Sequence, residues 1–167
     1  MKPFGVMFEE TKSETIVYNG HTIYRRLKFS GYPYIKLEIS NISTNSKYKQ
    51  AIVVLFSSDF TGKVLVDGKL FDVHRGLFSK ICFWEDDIPL NFVLECYTET
   101  GFFSICNGMD IIGTKEFCKM LNGGCAMIVD DVAQDYSTKT REYFVHCNDF
   151  ENDDDFDDIH FLIKQSE

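Results

Sequence analysis

Two dipeptides, Asn19-Gly20 and Asp67-Gly68, each sit between short runs of alternating apolar and polar residues. That arrangement leaves the chain little choice. Asn-Gly and Asp-Gly readily supply the two positive φ angles of a type I′ turn, whose twist matches that of the flanking strands. The sequence therefore predicts one hairpin from residues 15–18 into 21–29 and a second from 63–66 into 69–73. Between them, residues 34–42 alternate cleanly. Ile35, Leu37 and Ile39 point one way and Lys36, Glu38 and Ser40 the other, as in a half-buried strand.

The same reading extends down the chain. Residues 51–56 are a continuous apolar run suited to a central strand, and 77–84, 91–97 and 102–106 read as three more. Segments 125–129, 142–147 and 159–163 supply three closing strands. Thr98 to Gly101 and Asn107-Gly-Met-Asp110 read as turns, and residues 1–13 as a lead-in. One segment breaks the β rhythm: Thr114 caps an expected short helix over 114–121, ended by Gly123-Gly124. About ten strands, one brief helix and no βαβ alternation predict an all-β fold, a β-sandwich or jelly roll. With 167 residues and no visible linker or repeat, the expectation is a single domain over 1–167.

Hydrophobic residues make up 44% of the chain and aromatics 15%, which excludes wholesale disorder. The formal net charge is −9, and seven carboxylates lie within Asp149–Asp158 alone. The rest of the surface is nearly balanced, so the acidity is local and argues against direct binding to nucleic acid or anionic lipid. The first ten residues hold one basic side chain and an apolar stretch shorter than a secretory signal requires. No run is long enough for a membrane span. The expectation is a cytoplasmic protein, with Cys82, Cys96, Cys106, Cys118, Cys125 and Cys147 as buried, reduced thiols.

The acidic run is the foremost candidate site. Like charges at that density need counter-cations, open solvent or a bound metal ion. Calcium takes six to eight hard oxygens, and aspartates clustered on a tight loop supply them. The spacing is not that of an EF-hand: counted from Asp149, Asp154 replaces the required glycine and His160 the bidentate glutamate. The competing reading is a solvated acidic loop whose charges guard a sheet edge, the usual state of a charge run.

Residues Asp153-Asp-Asp155-Phe156-Asp157-Asp158-Ile159-His160-Phe161 follow the pattern Asp-x-Asp-[Phe/Tyr]-[Asn/Asp]-Asp-aliphatic-x-Phe. This stretch resembles the aspartate-rich closing strand of a β-sandwich domain of unknown function from large bacterial surface and matrix proteins. The resemblance implies a calcium site beside the sheet, with Asp153, Asp155, Asp157 and Asp158 as ligands. Asp149, at the head of the run, joins the candidate ligands.

No catalytic residue emerges. His146 and Cys147 are strand neighbours and must point to opposite faces, so they cannot act together. The cysteines contain no C-x₂₋₄-C pair for zinc, and Asn122-Gly-Gly124 is followed by no Gly-Lys-Ser/Thr. Glu38, Glu95 and Glu142 are positions for paired carboxylates and nothing more. Phe60, Phe78, Phe83, Trp84, Phe102 and Phe103 are either core or an exposed aromatic patch, core being the default. The leading expectation is a non-enzymatic binding module for a protein or carbohydrate, calcium-stabilised if the acidic loop holds metal. The alternative is a small acidic inhibitor or immunity-type protein. Its loop would bind a basic site on a toxin, nuclease or nucleic-acid-binding protein, an association that is steered by charge.

Overall fold

The computed structural model describes residues 2–30, 32–71, 73, 79–87, 91–115, 118–121, 123–135, 137, 139–149 and 155–166. The chain begins with a helix, α1 (Phe4–Thr11). The first strands are β1 (Thr15–Tyr18), β2 (His21–Tyr24), β3 (Leu27–Phe29), β4 (Tyr34–Thr44) and β5 (Lys49–Phe56). There follow β6 (Thr61–Val66), β7 (Lys69–Phe71), β8 (Lys80–Trp84), β9 (Phe92–Thr100) and β10 (Phe103–Asp110). The last are β11 (Lys119–Met120), β12 (Ala126–Asp135), β13 (Thr140–Asn148) and β14 (Ile159–Ser166). All pairings are antiparallel. A nine-stranded sheet runs β1-β2-β12-β13-β14-β4-β9-β6-β7, and a five-stranded path runs β11-β10-β5-β8 with β3 also on β10. The fold is all-β.

Both predicted turns form, but the strand expected over 21–29 divides: β2 pairs with β1, whereas β3 joins β10 in the other sheet. Asn19 and Gly20 take φ values of 50° and 79°, and Asp67 and Gly68 48° and 80°. Burial in β4 alternates as expected, with Ile35, Leu37 and Ile39 at 5%, 0% and 0% exposure. In β5 the residues Gln50 to Val54 are all buried, because β10 and β8 flank the strand and both of its faces are covered. A continuous apolar run is what such a position demands.

The two sheets face one another across the main core. Phe83 of β8 stacks on Phe92 of β9 at 4.2 Å, and Phe29 of β3 meets Tyr143 of β13 edge-on at 6.5 Å. A smaller cluster lies apart from it, where Phe4 and Phe8 pack with Ile23, Ala126 and Phe156. Phe4 and Phe8 are four residues apart and share one helix face, so α1 lies against this side as an apolar strip.

The one described helix therefore starts the chain, and the described residues of 114–121 are not helical. Lys119 and Met120 pair with Met109 and Gly108 as strand β11. Lys115 and Leu121 take positive φ values of 59° and 61°, which no helix tolerates. Asn107–Asp110 likewise is not a turn but the end of β10, buried throughout. Thr98–Thr100 continues β9, and Gly101, at φ 81°, makes the turn. The strands number fourteen among the described residues because short pieces such as β3, β7 and β11 pair independently.

Candidate cation site and apolar groove

The link from β13 to β14 is pinned by side chains that have left solvent. Asn148 is fully buried. Its Nδ2 donates to the Gly124 carbonyl at 3.0 Å, and its own carbonyl accepts from Asn107 Nδ2 at 2.8 Å. Asp158 Oδ2 accepts from the Asp149 amide at 2.7 Å, and Asp149 Oδ2 accepts from Ser46 Oγ at 2.6 Å and Gln50 Nε2 at 3.4 Å. Phe156 holds a left-handed φ of 54°, and its ring is buried 5.4 Å from that of Phe4. Left-handed backbone costs roughly 1–2 kcal/mol, comparable to what burying a phenylalanine ring returns.

With Asp158 and Phe156 fixed, Asp155 and Asp157 are drawn to the same point. One carboxylate oxygen from each of Asp155, Asp157 and Asp158 lies within 4.8 Å of the others. Two oxygens on opposite sides of a cation, each at about 2.4 Å, would be about 4.8 Å apart, so this spacing suits a shared ion. Asp157 Oδ2 accepts from Asn45 Nδ2 at 2.7 Å, whereas its Oδ1 is buried and has no hydrogen-bond donor among the described residues. A buried carboxylate oxygen without a donor is costly unless something positive faces it. Three of the five sequence candidates thus converge. The Oδ2 of Asp149 is instead engaged by Ser46 and Gln50, and Asp153 lies outside the described residues.

A second feature lies toward the β7 edge of the nine-stranded sheet, on β6, β7 and β9. Tyr32, Leu70 and Tyr97 are 72%, 62% and 45% exposed, and with Pro33, Lys63, Leu65, Thr98 and Glu99 they line an open groove of about 860 Å³. The register places Tyr97 opposite Lys63 and Leu65 opposite Leu70, so these side chains share a face. Tyr34, opposite Tyr97, lies with its ring 4.7 Å from that of Tyr97 and donates its hydroxyl to Glu95 at 2.6 Å. That hydrogen bond to a carboxylate pushes the Tyr34 phenol up to about 12.

Sequence reasoning looked for exposed aromatics elsewhere. Phe60, Phe83, Trp84 and Phe103 are all buried, Phe102 is half-buried beneath Lys28, and Phe78 lies outside the described residues. The signal for the groove was the outward parity of Tyr97 in a strand where Phe92, Leu94 and Cys96 face inward.

The chemistry weighed and set aside from sequence is placed as follows. Cys147 is buried in the core while His146 points outward, edge-on to Phe144 at 4.5 Å, so the two do not cooperate. Burial pushes the Cys147 thiol well above its ordinary range. Glu38 and Glu142 sit on either side of Lys164 in the register, and Glu95 is engaged by Tyr34. Asp110 accepts from the Gly113 and Lys115 amides at 2.8 and 2.9 Å, which occupies it in its own turn rather than in the aspartate group. Comparison with known proteins adds no relative: no protein-family profile matches the chain, and no curated protein or solved structure matches it significantly.

Proposed function

We propose that this chain is a non-enzymatic binding module that recognises a protein or a carbohydrate through the groove of Tyr32, Leu65, Leu70 and Tyr97, with Asp155, Asp157 and Asp158 holding a divalent cation. The observation that carries the reading is the clustering of three large apolar side chains, two of them tyrosines, exposed together on one sheet face. Isolated exposed hydrophobics are ordinary, but a contiguous patch with polar groups at its rim marks a contact surface. Tyrosine offers a wide apolar face with one polar tip, which suits both a sugar ring and a partner side chain. Calcium is the ion proposed, because an all-carboxylate oxygen set on a loop fits a hard cation with flexible geometry.

A glycan array and a displayed peptide library, screened in parallel, test this directly. Ligands should be found whose affinity falls at least tenfold in Tyr97→Ala and again in Leu70→Ser, about 1.4 kcal/mol for each tenfold, with the melting temperature unchanged. Binding that ignores both substitutions but weakens steeply with salt would overturn the groove. It would assign recognition to the acidic run and a basic protein partner.

A further inference from the structure

The five-stranded sheet carries a pair of sulfurs on the face turned away from the nine-stranded sheet. Cys82 on β8 lies opposite Val53 on β5, and Val53 lies opposite Cys106 on β10, so the three share a face. Gly108, two residues beyond Cys106, belongs to the same face and has no side chain there. Cys118 occupies the space thus left: a Cβ at Gly108 would collide with Cys118 Sγ and come within 2.9 Å of Val53 Cγ2. From that position Cys118 packs beside Val53, whose cross-strand partner is Cys82, so the two thiols are neighbours on one face. The two differ in access. Cys82 is half-buried, whereas Cys118 is only 6% exposed.

We propose that Cys82 and Cys118 are a peroxide-sensitive thiol pair that closes to an intramolecular disulfide, Cys82 being attacked first and Cys118 resolving it. Among the described residues the only cluster of three or more metal-ligating groups is the aspartate one, so the sulfurs lack the further ligands a soft metal requires. Two neighbouring thiols and no third ligand favour a bond between them.

The neighbouring Cys118 thiol brings the Cys82 thiol down to about 7, against the opposing effect of burial and with help from Lys80. Burial alone drives Cys96 up to about 12, and it also raises Cys106 and Cys147. The thiolate is the reactive form, so Cys82 stands apart from them. The Cys82 thiolate attacks one oxygen of hydrogen peroxide and breaks the O–O bond, giving a sulfenic acid and hydroxide. Cys118 sulfur then displaces the sulfenic oxygen, its proton leaving with that oxygen as water. Two thiols are oxidised by two electrons and one peroxide is reduced.

The test treats the reduced full chain with hydrogen peroxide at neutral pH, then alkylates, digests and maps it by mass spectrometry without reductant. The intact mass should fall by two hydrogens, with a Cys82–Cys118 linked peptide that dithiothreitol releases. In Cys118→Ser the sulfenic acid at Cys82 should persist and take up dimedone. In Cys82→Ser peroxide consumption should slow about tenfold, following the loss of the more acidic thiol of the pair. A different linked pair, a disulfide between two copies, or an unchanged rate in Cys82→Ser would overturn the proposal. The mapping of the unsubstituted chain stands whether or not a variant folds.

Discussion

A methyl group added at Gly108 has nowhere to go, since Cys118 Sγ and Val53 Cγ2 already fill its place. The strand is central and neither neighbour is the far end of a flexible side chain, so Gly108→Ala should lose about 1–3 kcal/mol, as overpacked cores do. Urea unfolding measures this, and Cys118→Ala in the same chain should recover a large part of the loss. Equal losses with and without Cys118 would place the strain in the backbone instead. The sequence pointed the other way at this residue. Asn107-Gly-Met-Asp110 carries turn-forming residues, yet Asn107 donates to the Asn148 carbonyl and Gly108 makes room for a sulfur. Nothing local announces either fact, because both partners arrive from later in the chain.

At the scale of elements, α1 joins the fold to the aspartate loop. Phe4 packs against Tyr18 at 5.1 Å and against Phe156 at 5.4 Å, and Phe156 stands between Asp155 and Asp157. Phe4→Ala should cost about 3–5 kcal/mol in guanidinium unfolding, the usual range for a fully buried phenylalanine. It should also weaken any calcium response, because the left-handed Phe156 loses part of what holds it. A full calcium response in a destabilised Phe4→Ala chain would show that the loop keeps its shape alone.

The helix was hard to foresee. It is eight residues long, and its N-cap is Pro3 without a side-chain cap. Isolated helices of that length are marginal, so its stability comes from the sheet it covers, not from local signals. The strands were legible because burial on one face imposes a period of two, as β4 shows, and the hairpins because Asn19-Gly20 and Asp67-Gly68 fix their own turns. The helix expected over 114–121 does not form among its described residues: Asp110 holds the Gly113 and Lys115 amides, and Lys115 and Leu121 take positive φ. Met120 then found a strand partner in Gly108.

For the whole molecule, the question is what balances a net charge of −9 concentrated near the 149–158 run. The fold withdraws Asp149 and Asp158 from solvent and satisfies them with hydrogen bonds, yet it holds Asp155, Asp157 and Asp158 together and leaves Asp157 Oδ1 without a donor among the described residues. The cation proposed above would offset the repulsion among these carboxylates. Millimolar calcium added after EDTA should therefore raise the melting temperature by several degrees. An ion at a hundred times its dissociation constant contributes about 2.7 kcal/mol, and each kcal/mol is worth about 2–4 °C at this chain length. Asp155→Asn and Asp157→Asn should each abolish the rise. Asp158→Asn is the wrong probe, because Asp158 also accepts the Asp149 amide and its loss would disturb the loop itself. Sodium chloride at matched ionic strength separates binding from screening: a rise that salt reproduces, or one that either substitution produces without calcium, would mean the carboxylates merely repel one another. The groove supplies an independent check. It lies on β6, β7 and β9 at the far edge of the sheet order from β13, so calcium should stabilise the chain without changing the affinity of a groove ligand.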